Sequence, residues 1–328
     1  MSDTAKETTP APAKKSHFKR FWWVYLLVLL IVAVVVVVPT VLLVAVPKMA
    51  QEKLNSAKLT IDGITVSNTQ TNSLTMAINS TISADDSVHA TVDAFQGTMY
   101  LAEVTPPLAF ATINFPKTTS AATQAVNVSQ DIQISDAGAF TTFNKYLLTS
   151  ESVNVQVKGD TYIHVSGISR AYSVTFDKTV NLKGLNNFAG LSISDAQIGL
   201  SSKNNFNGTA HIPNPSVLTL DIGNTTFLNY FDDTQIGMTY INNLILRPGN
   251  NSFAVTADIE QVPILKALTQ QPFCKLEGKL PFQLSGSDVK NNGQEIPYFR
   301  DALAASNQSV TIDLSQAAKA IGIPVSCS

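Results

Sequence analysis

The chain reads as one long apolar block followed by a region in which apolar and polar residues alternate. Residues Phe21 to Val46, FWWVYLLVLLIVAVVVVVPTVLLVAV, contain no charged side chain. As a helix rising roughly 1.5 Å per residue they reach about 39 Å, enough to cross a hydrocarbon layer of about 30 Å with some tilt. The run predicts a transmembrane helix over 21–46, with a bend and not an end at Pro39, because local adjustment can satisfy the carbonyl that proline frees. The competing reading is a cleaved secretory signal, whose apolar centre would span only about 7–15 residues. Length favours a retained signal-anchor.

Beyond the span, period-two patterning predicts half-buried strands at Leu74, Met76 and Ile78, at Val88 to Ala94, at Val153, Val155 and Val157, and at Tyr172, Val174 and Phe176. The parity changes to Phe95, Met99 and Leu101, which predicts a β-bulge at Gln96-Gly97. The stretch FLNYFDDTQIGM, 227–238, reads as a hairpin with Asp232-Asp233 at its tip. Helical spacing is confined to Phe140, Phe143, Leu147 and Leu148, to Val262, Leu265 and Leu268, and to two short stretches, 298–305 and 314–321.

Patterns recur about 128 positions apart. SVHATVDAFQGTMYL from Ser87 resembles SVLTLDIGNTTFLNY from Ser216, and TQAVNVSQDI from Thr123 resembles NSFAVTADIE from Asn251, each copy then running strand, short helix, strand. The turn-rich segment 184–205 marks the boundary. The expected fold is mainly β: a disordered cytosolic tail (1–20), the span (21–46), and two tandem β-sandwich domains with a few short helices (47–190 and 191–328).

Charge orients the chain. Lys14, Lys15, Lys19 and Arg20 precede the span, whereas Lys48, Glu52 and Lys53 nearly cancel after it, so positive-inside places the N-terminus in the cytosol. Phe18, Phe21, Trp22, Trp23 and Tyr25 form an aromatic group at the same edge. The C-terminal domains are then luminal or extracellular. On that oxidising side Cys274 and Cys327, the two cysteines of the chain, are expected to pair, the alternative being two buried thiols that never meet. Sequons at Asn79, Asn127, Asn207, Asn224, Asn250 and Asn307 permit glycosylation, though a chain rich in Asn, Ser and Thr produces such triplets by chance. The net charge of −2 and the lack of a basic tract argue against a nucleic-acid partner.

Motifs that carry chemistry are missing from the sequence: no Gly-x-Ser-x-Gly elbow, no His-Glu-x-x-His pair, no phosphate loop and no dinucleotide fingerprint. His17, His89, His164 and His211 are dispersed and read as structural or solvated. Asp85-Asp86 and Asp232-Asp233 read as solvated turn residues without the ligand spacing that calcium requires. No catalytic residue, cofactor or metal site is predicted, and an enzyme is not expected.

The segment 212–259 carries a resemblance through Asn214-Pro215-Ser216, the hairpin ending in Ile236-Gly237, and Leu246-Arg247-Pro248-Gly249-Asn250-Asn251. It resembles a fungal family of single-span membrane proteins whose ectodomain is a domain of unknown function, and the pattern is similar to the type-2 late-embryogenesis-abundant β-sandwich domain. In the first copy Ala84-Asp85-Asp86 replaces the Asn-Pro pair. The resemblance implies a fungal source and an endomembrane or vacuolar location, and no reaction. The same motifs also read as scaffold, Asn-Pro setting an extended entry and Pro248-Gly249 a tight turn. The leading functional expectation is a noncatalytic, membrane-anchored module that binds a protein partner or organises the lumenal surface of the lipid bilayer. The alternatives are a lipid-binding or lipid-transfer protein with an apolar groove, and a hydrolase with an unfamiliar site, which would need carboxylates or a histidine gathered in a cleft.

Overall fold

The computed structural model describes residues 17–83, 89–119, 122–199, 201 and 203–327. It contains two compact units, divided between Glu52 and Lys53. The first carries a helix that begins as α1 (His17–Thr40), passes through a π-helical turn at Val41–Ala45 and continues as α2 (Val46–Ser56). From Phe21 to Ser56 it is long and apolar enough to cross a membrane. Pro39 does not end it: the π turn follows directly, and Thr40 Oγ1 donates to Val36 O at 2.7 Å. The helix starts inside the expected 1–20 tail and outlasts the expected end at Val46, so the first β-region begins at residue 58 and not at 47. Residues 1–16 lie outside the described residues.

The strands of the second unit are β1 (Lys58–Ser67), β2 (Ser73–Ser83), β3 (Ala90–Val92), β4 (Phe95–Leu101), β5 (Leu108–Phe115), β6 (Thr118–Thr119) and β7 (Thr123–Gln133). Helix α3 (Ala137–Thr149) then leads to β8 (Ser152–Val165) and β9 (Ala171–Lys183). The second series is β10 (Ser192–Ile198), β11 (Phe206–Asn214), β12 (Leu218–Phe231), β13 (Thr234–Leu246), β14 (Gly249–Ile259), α4 (Gln261–Thr269), β15 (Lys279–Asn291), β16 (Gln294–Glu295), α5 (Pro297–Leu303), β17 (Gln308–Asp313) and α6 (Ser315–Ala320).

The second series closes on itself. Its order runs β10-β11-β14-β13-β12-β15-β17, and β17 pairs in parallel with β10 through Ile193 and Ile312. This is a seven-stranded barrel, where a sandwich was expected; closure removes the exposed strand edges that a sandwich leaves. The first series follows the same order in two pieces, β1-β2-β7 and β5-β4-β8-β9, open where the barrel is sealed. The repeat seen in the sequence is thus one strand plan built once as an open pair of sheets and once as a barrel.

The two series are not separate bodies. Lys53–Ser328 forms a single compact unit, and β1 pairs in parallel with β12 through Ile64/Leu218 to Val66/Leu220. Strand β12 then exchanges partners, meeting β15 from Asn224 to Tyr230. The exchange is made at Gly223, whose φ of +97° and a would-be Cβ only 2.5 Å from Lys290 O exclude any side chain. The seam is also held by side chains: Thr69 Oγ1 donates to Asp221 O, Asn291 Nδ2 donates to Thr69 Oγ1, and the Tyr298 hydroxyl donates to Gln70 O. Helices α3 and α5 meet through Phe140 and Tyr298, ring centres 5.0 Å apart, edge to face.

The predicted alternation is visible as burial of Leu74, Met76, Ile78, Val153, Val155, Val157, Tyr172, Val174 and Phe176. Residues 84–88, including Val88, Asp85 and Asp86, are outside the described residues. The bulge is not at Gln96-Gly97. The chain leaves the sheet at Asp93-Ala94, and the register slips opposite Phe110, between Met99/Ala111 and Tyr100/Ala109. Gly97 answers a packing demand instead, since a Cβ there would lie 2.8 Å from the Phe115 ring. At the hairpin tip Asp232 and Asp233 have φ of 48° and 59°, the paired left-handed conformation of a two-residue turn whose twist matches the strands.

Candidate functional site

Inward-facing residues of the barrel strands are almost wholly apolar, and they do not fill it. A cavity of about 60 Å³ remains, lined from Phe188, Leu191 and Gln308 at one end to Ile264, Leu265 and Leu314 at the other. From Gln308 to Leu314 the chain advances six residues, which at roughly 3.3 Å each and a strand tilt of about 40° rises about 15 Å along the barrel axis. The free volume is small for a wall of that length. No ionisable side chain is among the described residues that line it.

Four polar side chains reach the wall, each tied to the protein. Thr239 Oγ1 donates to Asn229 Oδ1 at 3.0 Å, and Gln261 Nε2 donates to Gly199 O and to Asn205 O. Gln308, 1 % exposed, donates from Nε2 to Leu303 O (3.2 Å), Asn187 Oδ1 (3.3 Å) and Ser306 O.

One end is closed by the connection between the two strand series. Asn186, Asn187 and Phe188 have φ of 45°, 50° and 55°, three successive left-handed residues, of which the phenylalanine is the most costly. The conformation is over-determined: Gly184, Leu185 and Asn186 donate backbone N–H groups to Glu151, Leu147 and Ser150, and Asn187 Nδ2 donates to Asn307 O at 2.8 Å. Phe188, 3 % exposed, is thereby held between the barrel cavity and a smaller one of about 20 Å³ under α3 and α5. The opposite end lies under α4, which presents Ile264 and Leu265, with Val262 turned to solvent.

The residues singled out in the sequence lie elsewhere. Cys274 and Cys327 are joined in a disulfide, Cα atoms 5.1 Å apart. Asn79, Asn127, Asn224, Asn250 and Asn307 are exposed and Asn207 is half-buried, all on strands or their ends; Asn79 and Asn127 face each other directly across β2 and β7. Asn224 Oδ1 accepts from Asn243 N and Asn307 Nδ2 donates to Gln283 Oε1. Asp232 and Asp233 rim a separate groove of about 500 Å³ on the barrel exterior with Pro281 and Thr311. Among the described residues no three His, Cys, Asp or Glu side chains gather as a metal site. The scaffold reading of Asn214-Pro215-Ser216 has a concrete form: buried Asn214 accepts from Ser216 N at 2.9 Å and donates to Leu218 O at 2.8 Å.

The histidines do have partners. His164 Nε2 lies 2.8 Å from Asp93 Oδ2, with Lys117 Nζ 3.4 Å from the other carboxylate oxygen, and the His164 hydrogen bond holds the Asp93 carboxyl below the usual carboxylate range. His211 sits between Ser194 Oγ and Ser252 Oγ, both at 2.9 Å, and Ser194 Oγ donates to Asp195 Oδ2 at 2.8 Å. This has the members of a hydrolytic triad in the wrong relation. Asp195 meets the serine and not the histidine, so the acid does not orient the imidazole as a triad requires. His89 is exposed, and the side chain of His17 is outside the described residues.

Phe188 and Gln308 were not distinguished in the sequence. An apolar aromatic inside the turn-forming run Asn186-Asn187-Phe188 was the available signal for the first; a glutamine opening a strand offers none.

A domain described as "Protein of unknown function (DUF3712)" is found at residues 108–229, from the start of β5 into β12. It crosses the junction between the two strand series and contains Phe188 and Asn214-Pro215-Ser216, while Leu246–Asn251 lies beyond it. No curated protein matches the sequence. Among solved structures, red sea bream transglutaminase aligns over 82% of this chain and 33% of its own at 11% identity, with a TM-score of 0.24. A bacterial adhesin from Mobiluncus mulieris with intramolecular disulfide, isopeptide and ester bond cross-links aligns over 78% of this chain and 98% of its own, at 7% identity and a TM-score of 0.21. The chain thus spans about a third of the transglutaminase, and scores of this size carry no argument.

Proposed function

We propose that this is a noncatalytic, membrane-anchored protein that binds the apolar part of a lipid inside its barrel. The observation that carries the proposal is the cavity, closed around by seven strands and lined without an ionisable group. Barrels can hold small apolar ligands, and a hydrocarbon chain leaving water for such a cavity gains roughly 0.8 kcal/mol per buried CH₂. In this reading the apolar helix is a single-pass signal-anchor with its N-terminus cytosolic, and the β-unit is luminal or extracellular, where the disulfide is stable and the exposed sequons are open to glycosylation. The membrane that the family resemblance implies is a fungal endomembrane such as the vacuole. The arrangement around His211 supports the noncatalytic reading, because the imidazole lies between two serines and no carboxylate orients it.

The test is retention of octane by the full chain in lipid nanodiscs, measured above empty discs of the same lipid. Ala210 lines the cavity and is 1 % exposed, so Ala210→Leu places three further carbons in the cavity. Retention by the native chain and its loss in Ala210→Leu is the expected result. Equal retention by both would place octane outside the barrel and end the proposal.

A further inference from the structure

On its outer face the barrel carries a second concavity, the groove of about 500 Å³ rimmed by Asp232 and Asp233. Its lining includes a row in direct register across three strands, Tyr230 on β12, Gln283 on β15 and Ser309 on β17, with Thr311 beside the last. Residues opposed in this way stand roughly 5 Å apart, so the row is one continuous surface. Its chemistry is mixed. The Tyr230 ring offers an apolar face, the hydroxyls and the Gln283 amide can donate and accept, and the two carboxylates only accept. No cation is among the described residues that line the groove.

The sequon Asn307-Gln308-Ser309 opens onto this row. Ser309, its third residue, is part of the lining, and Asn307, which is exposed, donates from Nδ2 to Gln283 Oε1 at 2.9 Å. Gln283 in turn stands directly opposite Tyr230. A sugar on Asn307 would therefore start at the edge of the groove. In the transfer, Nδ2 bonds to the anomeric carbon of a lipid-linked oligosaccharyl pyrophosphate, the bond from that carbon to the pyrophosphate oxygen breaks with its electron pair leaving on the oxygen, and one amide proton is released. The other Nδ2 hydrogen remains for Gln283. A saccharide matches the lining on both counts, its C–H faces suiting the aromatic ring and its hydroxyls the polar groups. An anion would meet two carboxylates with no cation to offset them, and a wholly apolar ligand would strip water from both.

We infer that the groove seats the chain's own N-linked glycan, carried by Asn307, its first sugars lying over Gln283 and Tyr230 and their hydroxyls meeting Ser309, Thr311 and the Asp232-Asp233 rim. This rests on the luminal or extracellular placement of the β-unit in the reading above, and on nothing about what the barrel holds. Of the six sequons it singles out one whose sugar belongs to the folded surface. That sugar covers the outward faces of β12, β15 and β17.

The test expresses the full chain in a eukaryotic secretory host, purifies it in detergent and treats it, still folded, with peptide N-glycanase in heavy-oxygen water. Each released site becomes a labelled aspartate, which mass spectrometry counts over time; a denatured sample gives the occupancy. Asn307 is expected to be occupied. Its release should quicken about five- to tenfold in Tyr230→Thr and about two- to fivefold in Gln283→Ala, since contacts in the groove must part before the enzyme reaches the innermost sugar. Release at any other occupied sequon should not change. An unoccupied Asn307 in a chain glycosylated elsewhere overturns the inference and leaves the placement of the β-unit intact. A chain with no glycan at any sequon overturns that placement and the inference with it. An occupied Asn307 whose release is the same in the native chain and both variants puts the sugar outside the groove, leaving it to another ligand such as a cationic peptide, and overturns the inference as well. Gln283 is exposed, so Gln283→Ala keeps the test decisive even if Tyr230→Thr does not fold.

Discussion

Phe188 offers the sharpest test of the barrel's closed end, because two of its properties act in opposite directions. Its side chain is 3 % exposed and separates two cavities, so removing it in Phe188→Ala should cost about 3–5 kcal/mol, the range for truncating a buried phenylalanine. Its φ of +55° is a conformation that costs a residue with a Cβ roughly 1–2 kcal/mol, and alanine bears that cost as fully as phenylalanine does. Glycine is relieved of it, at the expense of about 0.4–1 kcal/mol of extra unfolded-chain entropy. Phe188→Gly should therefore be more stable than Phe188→Ala by roughly 0.5–1 kcal/mol, the reverse of the usual order of these residues. Urea unfolding of the three full chains in one detergent, followed by near-ultraviolet circular dichroism, gives the order through the midpoints if the slopes agree. A Phe188→Ala variant as stable as Phe188→Gly or more so would show that the backbone there is not held left-handed, and the account of the plug would fail.

Other expectations concern stability away from the cavity. Cys274 and Cys327 close a segment with a sequence separation of 53, so replacing both by serine should lower stability by about 4 kcal/mol on chain entropy, read as a lower urea midpoint; an unchanged midpoint would refute that attribution. Burial pushes the Tyr298 hydroxyl well above its ordinary pKa near 10, so the folded chain keeps the proton where the unfolded chain releases it. The stability associated with that group is complete below about pH 10 and falls as pH rises above it. Tyr298→Phe should flatten this alkaline decline in pH-dependent unfolding, while costing about 1–3 kcal/mol at neutral pH because Gln70 O loses its donor. A decline of the same steepness in the variant would assign it to other groups.

What could be read from the sequence divides along a physical line. Local patterns were legible: the helix with buried Phe140, Phe143, Leu147 and Leu148, the turn at Asp232-Asp233, and the strands whose every second residue is buried. These depend on residues a few positions apart. Closure was not legible, because pairing of β17 with β10 and of β15 with β12 joins residues far apart, and inward-facing positions of a sandwich and a barrel show the same period of two. For the same reason the repeat was visible while its two different outcomes were not. The bulge at Gln96-Gly97 was misplaced because a glycine in a strand has two causes, a backbone kink or a close neighbour, and here the Phe115 ring is the cause. Of the candidate site, the apolar wall was implicit in the alternation, whereas Gln308 is an ordinary polar residue until its surroundings are known.

The parallel pairing of β1 with β12 bears on how the chain is made. Ile64 meets Leu218, 154 positions later (218 − 64), although β1 follows directly on the apolar helix. At synthesis rates of roughly 5–20 residues per second, that edge waits on the order of ten to thirty seconds for its partner. During the wait β1 can pair with β2, which in turn pairs with β7, but its other side offers open backbone groups beside the point of chain entry. The barrel must then assemble against a template already present. Maturation of this protein is therefore vulnerable to early release or truncation before β12 emerges, and the edge left open in such fragments is the one that quality-control factors would meet.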